Sequence, residues 1–162
     1  DDSDRDSNRQ SAFRSQIIWG EVHDNNCYFL DGVAGHAGLF SNVTEVHKMA
    51  EQFLAETTEL LNPETCQLFR KNFTPGLNQA RSLAFQLAET EDSTASEVLW
   101  KDSFGHLGFT GTSLWIEPGN RRIFILLTNR THNRELPFAD LKQTRQEFHR
   151  IAAESLDSVF WK

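Results

Sequence analysis

From Ser82 onward, apolar and polar positions fall into short alternating runs, and these give way to one long stretch of helical period. The alternation predicts a strand over 82–87 and three more at about 103–110, 111–117 and 122–128. Pro118-Gly119 should occupy the central positions of a type II turn between the last two. Over Phe138 to Phe160, Leu141, Arg145, Phe148, Ala152, Leu156 and Val159 lie near one stripe. That spacing predicts a long covering helix, with Arg145 snorkelling at its edge. Two shorter helices are expected upstream. With Asn42 as cap, Glu45 falls at the third helical position, and Val43, Val46, Ala50, Phe53 and Leu54 share one face. Asn62-Pro63-Glu64 signals a second start. That helix should run to about Asn72, bury Cys66, Phe69 and Phe73, and stop at Thr74-Pro75-Gly76.

The remaining segments lack either period. Residues 1 to about 15 are polar and read as flexible or draped over a surface. Asp24-Asn25-Asn26 carries turn chemistry. Asp31 to Ser41 holds three glycines spaced by three, with His36 among them, and is expected to form a compact buried loop. Glu89 to Glu97 is an acidic connector rich in Ser and Thr. The sum is an α+β arrangement: antiparallel strands packed by a long terminal helix and by helices from the preceding region. Its expected segments are 1–18, surface-draped; 19–100, loop and helical; and 101–162, strands and terminal helix. Together they form one domain fragment.

Composition narrows the function. The 162 residues carry a formal net charge of −7, with Lys and Arg dispersed, which argues against nucleic acid as a partner. No apolar run is long enough to span a membrane as a helix. Met49 is the only methionine, and Asp1 to Gln10 reads like the middle of a surface loop, so a fragment or a processed chain is expected.

Cys27 and Cys66 form no metal-type pattern. His23, Asp24 and His36 match no familiar zinc spacing, so neither metal nor cofactor is expected. Asp24 should cap a turn beside a hydrogen-bonded His23. His47 and His149 are expected at the surface or boundary of helices, and His132 partly exposed. His106 differs, because it lies between Gly105 and Gly108 on a predicted strand. Glycines there signal a bulge, a bend in an ordinary hairpin, or the close approach of a ligand or backbone. As the one titratable group in that stretch, His106 could donate, accept or carry charge toward an anionic substrate.

Read together, the ordered stretches resemble the C-terminal half of the penicillin-recognising serine hydrolases, in the class C β-lactamase, esterase and DD-peptidase branch. Gly20 to Asp24 and Gly32 to Ser41 are similar to stretches of one penicillin-binding-protein-like subgroup. His106-Leu107-Gly108 occupies the place of that family's Lys/His-Thr-Gly triplet, and Gly111 to Pro118 followed by Phe124 to Arg130 looks like the next two strands. The resemblance implies part of the β-lactamase/DD-peptidase fold, with 19–100 bordering the cleft. It implies acyl transfer on an ester, a D-alanyl peptide or a β-lactam, so the substrate is a small molecule or a peptidoglycan peptide. His106 and the backbone N–H of Phe109, one of two oxyanion donors, would act in catalysis. Gly105, Leu107, Gly108, Gly35 and His36 would line the substrate.

Two departures matter. Leu107 replaces a threonine whose hydroxyl binds a substrate carboxylate in relatives. No serine is followed by lysine three positions on, and the only tyrosine gives Tyr28-Phe29-Leu30 rather than Tyr-x-Asn or Tyr-x-Ser. The family nucleophile is therefore absent from these residues, and this chain alone is expected to be inactive while its parent is a serine hydrolase. The alternative is a non-catalytic binding or assembly module that keeps the cleft. The expected partners are a missing N-terminal half or a second copy. The bacterial periplasm or envelope is the location implied by the resemblance alone.

Overall fold

Four strands zip together in chain order as an antiparallel meander: β1 (Gln86–Leu87), β2 (Phe104–Leu107), β3 (Ser113–Glu117) and β4 (Arg122–Leu126). Phe104 pairs with Ile116, Gly105 with Trp115 and His106 with Leu114, and Trp115 pairs in turn with Phe124. This computed structural model describes residue 14, residues 17–132 and residues 137–160. Apart from Arg14, the stretch read as flexible, 1 to about 15, lies outside the described residues. The chain forms two units, Asp1–Ser41 with Thr131–Ala139, and Asn42–Arg130 with Asp140–Lys162.

The second unit holds the sheet, and the alternation of its strands feeds two apolar layers. Phe104 and Ile116 join Ala50, Leu54, Phe69, Ala80 and Leu87 on one face. There Phe53, Phe69, Phe85 and Phe104 contact one another ring to ring, with Phe53–Phe69 and Phe53–Phe85 centroids 5.1 Å apart. On the opposite face Trp115 and Phe124 pack with Ala95, Leu99 and Ala153. Phe104, Trp115 and Ile116 are fully buried, and burying each such side chain contributes roughly 1.5–3 kcal/mol.

The helices begin where their caps predict. Helix α2 (Val43–Glu51) starts at Asn42, whose side chain accepts from the Glu45 N–H at 3.1 Å. Helix α3 (Pro63–Leu68) starts at Asn62, which accepts from the Glu64 N–H at 2.9 Å. It is shorter than expected. The Asn72 side chain accepts from the Thr74 N–H at 2.8 Å, an Asx turn that competes with further helix. Cys66 and Phe69 are buried, but Phe73 and Val43 are exposed. Helix α4 (Lys142–Phe160) begins four residues later than the stripe suggested, where Asp140 accepts from the Lys142 N–H at 2.9 Å.

β2 is shorter than expected at both ends, β3 starts later and β4 stops earlier than expected, and residues 82–85 form a turn rather than a strand, with the Ser82 N–H donating to Phe85 O at 2.9 Å. The β3–β4 connection is also not the expected type II turn. Pro118–Asn120 forms a 3-10 turn, and the left-handed conformation passes to Arg121, at φ 51°, not to Gly119. The register explains this. Glu117 pairs with Arg122, so four residues must close the hairpin.

The largest correction concerns α4. Arg145 is buried, not snorkelling, and His149 is completely buried, not at a surface or boundary, while Val159 is 68% exposed. The inward ridge therefore runs through Arg145, His149 and Ala153, spaced by four. Phe148, Ala152 and Leu156 flank it. His149 is polar yet tolerated because both ring nitrogens are used: Nδ1–H donates to Thr94 O at 2.7 Å, and Nε2 lies 3.3 Å from Ser113 Oγ. A carbonyl can only accept, so Nε2 bears the lone pair and receives the serine hydroxyl. Burial pushes the imidazole pKa down to about 4, with the Arg145 charge acting in the same direction.

In the first unit, α1 (Asn25–Phe29) is capped by Asp24, which accepts from the Cys27 N–H at 2.8 Å. Arg14 is buried there, donating to Val22 O at 2.7 Å and Asn25 Oδ1 at 3.0 Å, with its guanidinium over the Tyr28 ring. The loop that follows is irregular, as expected, but not buried. Val33, Leu39 and Phe40 are exposed, Leu39 to 94%. Only its fold-back at Gly38 is tight, where a Cβ would meet Gly32 O and Cys27 Sγ.

Candidate active site

Gly105 to Phe109 forms the end of β2 and the start of the turn into β3. β1 covers only Phe104 and Gly105, so His106 and Leu107 lie beyond the reach of that strand. On the other side both are held by β3, His106 opposite Leu114 and Leu107 opposite Ser113. The His106 side chain is exposed, and its Nδ1–H donates to Leu107 O at 2.9 Å. That bond leaves Nε2 as the acceptor nitrogen of the neutral ring. The histidine thus stands at the open end of a strand whose other end is locked in the core.

The glycines have internal reasons. A Cβ at Gly105 would sit 2.2 Å from Leu114 O and 2.6 Å from the Trp115 ring, so the close approach is by the protein's own backbone and indole. Gly111 adopts φ 113°, and a Cβ there would fall 2.3 Å from Thr128 Oγ1. Of the alternatives the sequence leaves open at Gly105, close backbone approach is the one with a partner in the fold.

The turn after the triplet is tied from several directions. The Gly108 N–H donates to Thr112 O at 2.9 Å and the Gly111 N–H to Gly108 O at 3.0 Å. From α4, Arg145 Nη2 donates to Gly108 O at 2.9 Å and Thr112 O at 3.0 Å. Burial, and then the neighbouring Arg130 charge, lower the Arg145 pKa from its ordinary value. Arg130 Nε donates to Phe109 O at 2.7 Å, its guanidinium lies 4.8 Å from the Phe109 ring centroid, and its own N–H donates to Thr110 O at 2.8 Å. Phe109 itself is 42% exposed. Neither arginine was singled out for this site by the sequence. The signal available was a cation, Arg145, placed within the apolar stripe of the terminal helix.

Gly35 and His36 belong to the first unit, apart in the chain from the His106 group. His36 Nε2 lies 3.1 Å from Asp24 Oδ1. Burial raises the Asp24 pKa, but the Cys27 N–H and the His36 ring more than offset this and hold it below the ordinary range. A Cβ at Gly35 would meet nothing within 4 Å, so packing among the described residues does not demand a glycine there. Among the described residues, no group of three or more His, Cys, Asp or Glu side chains is arranged to hold a metal ion. Ser113 and His149 form a hydroxyl–imidazole pair, but both are buried between β3 and α4, so the pair fastens a helix to the sheet.

The sequence pattern of the Beta-lactamase family matches residues 2–147. A protein of Escherichia coli (strain K12) named "Putative D-alanyl-D-alanine carboxypeptidase" is 31% identical over 83% of this chain and 32% of its own length. A protein of that name from Salmonella agona (strain SL483) is 30% identical over 74% of the chain and 29% of its own length. A Bacillus subtilis (strain 168) protein named "N-acetylmuramyl-L-alanine amidase" is 32% identical over 74% of the chain and 28% of its own length. The chain spans about a third of the length of the curated relatives it matches. With its antiparallel sheet, helices on both faces and C-terminal helix, the chain belongs to the beta-lactamase family of hydrolases.

Proposed function

We propose that this chain is the downstream portion of a serine hydrolase that transfers the acyl group of an ester, a D-alanyl peptide or a β-lactam. The nucleophile would come from chain outside these 162 residues. The observation that carries the reading is His106-Leu107-Gly108 at the uncovered end of β2, with Phe109 directly after it. His106 would meet a substrate carboxylate and the catalytic hydroxyls, and the Phe109 N–H would donate to the oxyanion. Gly105, Leu107 and Gly108 would line the substrate. A preorganised oxyanion donor contributes on the order of 3 kcal/mol to transition-state stabilisation. Leu107 makes this wall less polar than a threonine would, which favours substrates lacking a carboxylate at that point.

The relatives named as D-alanyl-D-alanine carboxypeptidases support work at the cell envelope. Among the described residues, no helix is long and apolar enough to cross a membrane. The partner would be the remainder of the parent protein. β4 ends the described sheet, and Trp19, Val33 and Leu39 are more than 80% exposed, so apolar surface awaits cover.

Labelling with a fluorescent penicillin or a fluorophosphonate tests the reading. A longer parent should label, and the 162-residue chain alone should not. Labelling of this chain by itself would refute the assignment of the nucleophile elsewhere. No labelling and no ester hydrolysis by the parent would favour a binding or assembly module that keeps the cleft.

A further inference from the structure

Arg145 reaches the turn after β2 from behind, and the peptide it holds is the one that bears the Phe109 N–H. Gly108 C=O and Phe109 N–H are two ends of a single planar amide, and in a trans peptide they point in opposite directions. Gly108 O receives Arg145 Nη2 at 2.9 Å and the Gly111 N–H at 3.0 Å. A carbonyl oxygen has two lone pairs, so both are engaged. Arg145 is 7% exposed, whereas Phe109 is 42% exposed. With the carbonyl fixed toward the buried guanidinium, the Phe109 N–H is directed to the opposite, outer side of the turn.

We infer that Arg145 is a positioning residue that locks the Gly108–Phe109 peptide so that the Phe109 N–H is presented for oxyanion binding. Rotating this peptide breaks two hydrogen bonds at once, one of them charge-assisted and therefore among the stronger kind. The second bond of Nη2, to Thr112 O at 3.0 Å, pins the far side of the same turn. The guanidinium also polarises the amide through its carbonyl, which makes the N–H a better donor to negative charge. The catalytic use of this lock rests on Phe109 being an oxyanion donor, as proposed above; the orientation of the peptide does not.

Gly108-Phe109 is the only Gly-Phe pair in the sequence. In these residues, carbonyl-¹³C glycine combined with ¹⁵N phenylalanine therefore marks one amide. The intact protein carrying this chain is compared with its Arg145→Gln and Arg145→Lys variants by NMR and by kinetics on a chromogenic ester. Arg145→Gln should shift the Gly108 carbonyl resonance and broaden or split the Phe109 amide signal. It should lower kcat on the order of tenfold with KM little changed, against the 10²–10³ expected for outright loss of a donor. Arg145→Lys, which keeps a charged donor, should recover much of both. An unmoved carbonyl and amide in a folded variant would overturn the inference. A changed peptide signal with unchanged kcat would leave the lock standing and reject Phe109 as the oxyanion donor. If Arg145→Gln does not fold, Arg145→Met, which keeps the aliphatic stem but has no donor for Gly108 O or Thr112 O, carries the comparison, and identical spectra and kinetics there count against the lock.

Discussion

Protonating His149 should loosen the attachment of α4 to the sheet, and the size of the effect follows from its surroundings. The ring is fully buried beside Trp115, Phe124 and Phe148. One turn away on the same helix is the Arg145 guanidinium. The imidazole pKa falls from 6.5 to about 4 on folding. The native state therefore resists a proton that the unfolded chain accepts, so stability is lost as pH falls from about 6.5 toward 4. Below about 4 both states are charged and the loss levels off, at about 3 kcal/mol. By pH 5 it already reaches about 2 kcal/mol. That is a large share of the 5–15 kcal/mol typical of a domain. Urea unfolding followed by circular dichroism at pH 7, 6 and 5 measures the slope. Asp24, Asp92 and Glu147 have lowered pKa values and also contribute on the acid side. His149→Asn, which keeps a donor for Thr94 O but cannot take up the proton, isolates the histidine's share. Equal slopes for the parent and the asparagine variant would refute the buried neutral imidazole.

Two core substitutions probe the sheet. Gly105→Ala places a methyl 2.2 Å from the Leu114 carbonyl oxygen; because backbone within the ladder cannot yield cheaply, a loss of about 3 kcal/mol is expected. It should lower the urea midpoint by about 1.5 M at unchanged slope. Glu117 is 1% exposed and accepts from the Trp100 N–H at 3.1 Å and Asn120 Nδ2 at 3.0 Å, beside Arg122 at 3.8 Å. Glu117→Ala should cost about 3 kcal/mol by stranding these donors, and thermal melting should place Glu117→Gln between it and the parent.

How much was legible depended on where each residue's partner lies. Asn42 and Asn62 cap helices through bonds to residues three and two positions ahead, and such caps are written into the local sequence. The hairpin strands were likewise visible, since their alternation survives in the two buried layers. His149 was not. Its partners, Ser113 and Thr94, lie 36 and 55 residues away, and nothing in the helical stripe distinguishes a buried histidine from a surface one. Arg145 was read as an edge residue for the same reason, because the carbonyls that receive it belong to a distant turn. The loop over Asp31 to Ser41 was misjudged on a different ground: glycine content reports backbone freedom, and burial does not follow from it. At the candidate site the triplet and its glycines could be read from the sequence, but the support behind Gly108 could not.

The chain-order meander also bears on how this sheet comes into being. Each strand pairs with its neighbour in sequence, β2 with β3 across residues 108–112 and β3 with β4 across 118–121. Closing such short loops costs little chain entropy, and hairpins of this kind form in about 1–10 μs. The Trp115 and Ile116 pairings can thus be reached without waiting for contacts from far along the polypeptide. Low sequence separation favours rapid folding, so β3 and β4 form a local seed onto which β2, and then the short β1, can add. The wall bearing His106 would then be laid down on a strand pair already in place.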